Sequence, residues 1–125
     1  MPKSILIADD EIHIRALLEQ TLEDLEDQGI DLLIATNGQE ALDIIKEAQP
    51  DLIFLDVMMP KMDGYQVCHE AKHTLKLTHT CIVLLTAKGQ EADQKKGYEA
   101  GADIYMTKPF DPDEVLAKAQ EILGL

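Results

Sequence analysis

Residues 51–64 read Asp51-Leu52-Ile53-Phe54-Leu55-Asp56-Val57-Met58-Met59-Pro60-Lys61-Met62-Asp63-Gly64. The stretch starts as an unbroken apolar run and stops on a charge, Asp56. An apolar run without polar alternation suits a strand buried on both faces, as in a parallel sheet. Pro60 and Asp63-Gly64 then predict a turn, not a continued strand. Asp56 therefore stands where the strand leaves the sheet. In open α/β sheets, ligands bind just beyond the C-terminal strand ends. We read Asp56 as the reactive group of the chain.

Upstream, residues 4–8 form a second apolar run, stopped by Asp9-Asp10-Glu11. These acids are expected to open a helix, because negative charge suits the N-terminal end of the helix dipole. Ile14, Leu17, Leu18, Thr21, Leu22 and Leu25 recur at helical spacing. Gln28-Gly29 supplies the stop. Residues 31–35 predict another strand and Asn37-Gly38 a turn. The next helix carries Ala41, Ile44, Ile45 and Ala48 on its inner face, and Pro50 ends it.

Downstream, a helix is expected from Tyr65 to Leu75. A strand over residues 81–85 ends on Thr86-Ala87. A polar helix over residues 91–100 is capped by Gly101. A short strand over residues 103–106 precedes Thr107-Lys108-Pro109-Phe110. In the last helix Asp111 is the N-cap, Pro112 takes the first position and Glu114 completes a box-like pattern. Val115, Leu116, Ala119, Ile122 and Leu123 form its buried face.

Strand and helix alternate five times. That pattern predicts an α/β fold: a doubly wound, five-stranded parallel sheet with five helices on its two faces. No linker or repeat interrupts residues 1–125, so one domain is expected. Four strands are followed by residues with chemistry: Asp9 and Asp10, Asp56, Thr86, Lys108. The second strand ends on Ala35-Thr36-Asn37 and is expected toward the sheet edge.

Composition narrows the function. Apolar residues make up 46% of the chain, which argues against disorder. The net charge of -13 argues against nucleic-acid binding by this domain and against an anionic membrane surface. Cys68 and Cys81 form no close pairing motif, and the first apolar run is too short for a signal peptide or membrane span. A reduced, cytoplasmic protein is expected. The chain closes at Leu125 directly after the last helix, so no output domain is expected within it.

Three carboxylates, a hydroxyl and an ammonium would meet at one sheet edge. Bare, the acids repel and resist full ionisation. A divalent cation relieves that conflict, and an all-oxygen ligand set completed by water and phosphate fits Mg²⁺. Asp56 could then attack phosphorus and form an aspartyl phosphate. Lys108 and Thr86 would bind the other phosphoryl oxygens. Such chemistry depends mostly on positioning and charge neutralisation.

The same residues resemble a known family, the CheY-like receiver domains of bacterial response regulators. The resemblance covers nearly the whole chain. It rests on Asp9-Asp10, Asp56, Met59-Pro60-Lys61-Met62-Asp63-Gly64, Thr86-Ala87 and Lys108-Pro109-Phe110, in that order at the strand ends. It implies the flavodoxin-like strand order 2-1-3-4-5. It implies Asp56 as phosphoacceptor, with Asp9, Asp10 and Asp56 ligating Mg²⁺, or Mn²⁺ in its place. Met58 would give a backbone carbonyl to the metal. Thr86 resembles the switch hydroxyl, Lys108 the phosphate-pairing lysine and Tyr105 the switch aromatic. The Lys108-Pro109 bond is expected to be cis.

The resemblance further implies a sensor histidine kinase or phosphotransfer protein as donor and an unnamed downstream protein as target. The phosphate would draw Thr86 inward and let Tyr105 follow. The face of the fourth predicted helix, fifth strand and last helix would change shape, with a phosphorylation-dependent homodimer as one outcome. Met58 and Lys88 flank the site. Neither can orient an attacking water, so slow self-dephosphorylation is expected.

Two rival functions compete with this reading. A flavin carrier of the same fold needs a hydroxyl- and glycine-rich loop after the first strand, and Asp9-Asp10-Glu11 is the opposite chemistry. A magnesium phosphohydrolase would resemble Asp-x-Asp at the nucleophile, and here the second position is Met58. The same residues also allow plainer roles: helix-capping acids, a surface lysine, a packing tyrosine at Tyr105. His69 and His73, with Cys68 and His79, are the residue types of a zinc site, but a solvated helix face is expected. Ile14 is left between kinase docking and core packing.

Overall fold

The computed structural model describes residues 3–87 and 94–125. Its elements in order are β1 (Ser4–Ala8), α1 (Ile12–Thr21), α2 (Glu23–Asp27), β2 (Asp31–Ala35), α3 (Gly38–Ala48) and β3 (Leu52–Asp56). Then follow α4 (Gly64–His69), a π-helical turn (Glu70–Thr74), β4 (Cys81–Ala87), α5 (Gln94–Ala100), β5 (Ile104–Lys108) and α6 (Pro112–Leu123).

The five strands form one parallel sheet in the order β2-β1-β3-β4-β5. β3 is central, and all five of its residues are buried. The apolar run of the sequence has this origin: helices cover both of its faces. Strand residues alternate between two cores. Leu6, Ile53, Leu55, Ile82 and Leu84 face the side packed by α3, α4 and α5. Ile5, Ile7, Leu52, Phe54, Val83 and Leu85 face the side of α1, α2 and α6. β2 lies at the edge, as expected, and three of its residues are half-buried.

The local differences have physical causes. Among the described residues there are six α-helices, one more than expected, because the first is split at Leu22. The Thr21 hydroxyl donates back to the Leu17 carbonyl at 2.7 Å, and Leu25 N bonds Leu22 O in a tightened turn. Back-bonding of this kind bends helices. α1 opens directly after the acids of residues 9–11, as expected, with Glu11 at its N-cap, although Glu11 makes no side-chain cap.

Asn37 is not a turn residue but the N-cap of α3, its side chain accepting from Glu40 N at 2.9 Å. Asp63 caps α4 in a full capping box with Gln66. Ala48 is exposed, and Leu42 is buried on α3 instead. The helix from residue 64 passes through a π turn, closed by Leu75 N on Glu70 O at 2.8 Å. Thr86 and Lys108 lie inside β4 and β5, not beyond them. Asp111 caps α6 through Asp113 N. Gly101 follows α5 with φ of 109°, where glycine is the natural residue. Residues 91–93 of the expected fourth helix lie outside the described residues.

Candidate functional site

The register of the sheet assembles the site. Ala8 of β1 pairs with Leu55 of β3, so the next residues, Asp9 and Asp56, emerge side by side. Asp56 pairs with Leu85 of β4, and Leu85 with Met106 of β5. Lys108 stands two residues past Met106, with β4 between it and β3. Two strand spacings are roughly 10 Å, so its long side chain must reach back across β4. It does: Nζ lies 2.7 Å from Asp9 Oδ2 and 3.3 Å from Asp56 Oδ1.

Asp9 is fully buried and Asp56 is 4% exposed. Three further donors fix them. Glu11 N donates to Asp9 Oδ1 at 2.9 Å, Arg15 Nη1 to the Asp9 carbonyl at 2.8 Å, and Met58 N to Asp56 Oδ1 at 3.3 Å. Asp10 is exposed, yet one carboxylate oxygen from each of Asp9, Asp10 and Asp56 lies within 4.8 Å of the others. The Met58 side chain is 63% exposed and takes no part. Thr86 is buried one position past Leu85, the partner of Asp56.

The electrostatics follow from this crowding. Burial, then the neighbouring Asp9 charge, pushes the Asp56 carboxyl from 3.8 up to about 7, against the pull of Lys108. Burial alone would lower the Lys108 ammonium. The hydrogen bond to Asp9 and the Asp56 charge outweigh it, and the lysine is held above its ordinary range. One ammonium thus serves two buried acids, with a third acid at the rim. The site is short of positive charge.

A hard divalent ion fits that shortage. Asp9, Asp10 and Asp56 each offer a carboxylate oxygen within 4.8 Å of the others, a cluster that such an ion would draw together. The donor set is all oxygen, and the family of sites with this donor set favours Mg²⁺ over softer ions.

Tyr105 lies on β5 opposite Leu84, two residues before Thr86, and so on the same sheet face as Thr86. It is half-buried, and its hydroxyl lies 3.3 Å from that of Tyr65. The Lys108–Pro109 bond is cis, as expected. Lys88, expected to flank the site, lies outside the described residues. Ile14 is half-buried against the α1–α6 core.

The zinc alternative gains no support. His69 and His73 are exposed and their rings stack at 4.6 Å. Among the described residues, the acids at positions 9, 10 and 56 are the group near enough to share an ion. Burial pushes the Cys68 thiol up to about 12 and the Cys81 thiol up to about 11, so both are poor nucleophiles.

Three residues take supporting roles that sequence reasoning did not give them. Arg15 pins the backbone between the two N-terminal acids; it is the single arginine of the chain, which could have flagged it. Gly64 lets α4 start against the phosphoacceptor backbone: a Cβ there would lie 2.4 Å from the Asp56 carbonyl oxygen. Tyr65 meets Tyr105, a contact that no local signal announces.

Comparison with known proteins places the chain in a family. The family model described as response regulator receiver domain matches residues 5–120. The chain is 48% identical over 123 residues to the alkaline phosphatase synthesis transcriptional regulatory protein PhoP of Bacillus subtilis (strain 168), covering 98% of this chain and 49% of that protein. It is 46% identical to the probable transcriptional regulator ycf27 of Cyanophora paradoxa, covering 97% and 48%. The chain spans about half the length of these curated relatives. Among solved structures, a response regulator from Chloroflexus aurantiacus J-10-fl, described there as putative, superposes with a TM-score of 0.85 at 34% identity, with both chains fully covered.

Proposed function

This chain belongs to the response regulator receiver domain family, and on that premise we propose that Asp56 is its phosphoacceptor. Receiver domains of this family are signalling domains of two-component systems, and phosphoryl acceptance is their general function. One observation carries the assignment to Asp56: Asp9, Asp10 and Asp56 converge with the Lys108 ammonium at a single sheet edge. A donor phosphohistidine on a sensor kinase or phosphotransfer protein fits this edge.

In the transfer, a carboxylate oxygen of Asp56 forms the new bond to phosphorus. The phosphorus–nitrogen bond to the imidazole breaks, and the nitrogen keeps the electron pair and takes up a proton. Asp9, Asp10 and Asp56, with the backbone carbonyl of Met58, would hold Mg²⁺, which supplies charge neutralisation for the phosphoryl oxygens. Mn²⁺ has the same oxygen preference and is the substitute. Lys108 pairs a second phosphoryl oxygen, and the Thr86 hydroxyl donates to a third. Thr86 then moves toward the site and Tyr105 follows on the same face. The α5–β5–α6 surface changes, for a downstream protein or a second copy of the chain.

We read residues 1–125 as one receiver unit that promotes its own phosphorylation and slow dephosphorylation. Its net charge of -13 argues against nucleic-acid contact by this unit, and we read its setting as cytoplasmic. No helix among the described residues is long and apolar enough to cross a membrane.

Intact mass after incubation with a small phosphodonor and Mg²⁺ tests the proposal. Wild type is expected to gain one phosphoryl group, and Asp56→Asn none. An unchanged wild-type mass would overturn the assignment. Modification persisting in Asp56→Asn would move the acceptor elsewhere.

A further inference from the structure

We propose that Tyr65 is a positioning residue for Tyr105, giving a second mechanical link from Asp56 to the α5–β5–α6 face. The inference rests on the reading of Tyr105 as the switch aromatic.

The link starts at the acceptor's own backbone. Gly64 N donates to the Val57 carbonyl at 2.8 Å. A Cβ on Gly64 would lie 2.4 Å from the Asp56 carbonyl oxygen, so α4 is seated directly on residues 56 and 57. Tyr65 is the next residue and is 8% exposed. Its hydroxyl lies 3.3 Å from the Tyr105 hydroxyl, and either can donate. Any shift of the chain at Asp56 therefore moves the helix start that carries Tyr65.

The third side of the pair is α5. Lys96 Nζ lies 4.7 Å from the centroid of the Tyr65 ring. Gly97 leaves room for the Tyr105 ring: a Cβ there would lie 2.9 Å from Tyr105 Cε2. On the outer side, a hollow of about 400 Å³ opens between α4 and α5, lined by Met62, Tyr65, Gln66, Lys96 and Ala100 among others. Tyr105 itself is only half-buried, so the hydroxyl contact has a share in setting its ring position. The Thr86 route and the Tyr65 route end on the same aromatic ring. Tyr105 then reports two displacements of the site, one from β4 and one from α4.

Ring-labelled tyrosine NMR tests this. The chain has three tyrosines, and single Tyr→Phe variants assign Tyr65, Tyr98 and Tyr105. Tyr65→Phe keeps the ring and removes the hydroxyl. In unphosphorylated protein it is expected to move the Tyr105 signal and shift its rotamer balance by about two- to tenfold, the size of one neutral hydrogen bond. After phosphodonor and Mg²⁺, phosphoryl uptake by mass is expected to stay complete, while the Tyr105 response differs from wild type. Tyr98, whose ring centroid lies 6.2 Å from that of Tyr105, keeps that ring in Tyr98→Phe, and the Tyr105 response to phosphorylation is expected to stay as in wild type.

A Tyr105 signal and response that are unchanged in Tyr65→Phe would overturn the proposal. Should Tyr65→Phe fold poorly, Tyr105→Phe decides: the Tyr65 signal is expected to move, and its staying put would overturn the link. Failure of wild type to take up phosphoryl would sink the Asp56 reading alone, because the unphosphorylated spectra still judge the tyrosine pair.

Discussion

Lys108 sits closer to Asp9 than to the proposed acceptor, 2.7 Å against 3.3 Å. The lysine is therefore held mainly by a proposed metal-ligating acid, and Asp56 carries much of the unbalanced charge. Burial first, and then the neighbouring Asp9 charge, is why the Asp56 carboxyl, and not the lysine, bears the cost of assembling the site.

Stability should fall as the site ionises. The Asp56 carboxyl is raised from 3.8 to about 7 in the fold. Its contribution favours folding fully below the lower value and is lost as pH rises through the higher one. The loss is on the order of 4 kcal/mol. Asp56→Asn removes the charge and should be more stable than wild type at neutral and alkaline pH. Urea midpoints should show the gap widening from about pH 4 to about pH 7 and then levelling. A gap that narrows with pH would refute the electrostatic account.

Mg²⁺ should stabilise the fold through the same acids. At a tenfold excess over its dissociation constant, the gain is about 1.4 kcal/mol. Thermal midpoints should rise with Mg²⁺, fall back with a chelator, and stay flat with a monovalent salt of equal ionic strength. Asp10→Asn should remove the effect without unfolding the protein, because Asp10 is exposed. A full Mg²⁺ response in that variant would exclude Asp10 from the ligand set.

Gly64→Ala should damage stability and phosphoryl uptake together. The added Cβ would meet the Asp56 carbonyl oxygen at 2.4 Å and the Val57 Cα at 2.8 Å. Overpacking against backbone typically costs about 1–3 kcal/mol. Urea denaturation measures the first effect and the rate of mass gain from a small phosphodonor the second. Wild-type values for both would show that α4 is not seated on the acceptor.

The phosphoryl group should leave slowly. Met58, two residues past Asp56, is 63% exposed and has no group that orients water. Once formed, the phosphorylated protein should persist well beyond seconds after donor removal. Met58→Asn, with an amide beside the phosphorus, should shorten the lifetime by about tenfold or more. Loss within seconds from wild type would contradict this.

Much of this was written in local sequence because it depends on local physics. The apolar run ending on Asp56 marked a central strand and its tip. The alternation of strand and helix required parallel pairing. Asp9, Asp10, Thr86 and Lys108 were legible as site residues because each closes a strand whose apolar run is easy to see. Some local chemistry was still misread: Asn37 and Asp63 looked like turn residues, although Asn and Asp serve equally as N-caps, and each has a Glu or Gln three residues on. What the chain order alone could not decide was distance. Which acid Lys108 prefers, the meeting of Tyr65 with Tyr105, and the seating of Gly64 on Asp56 all join residues that only the register and stacking of separate elements bring together. Side-chain periodicity tells a residue which face to occupy; the packed sheet determines what it meets there.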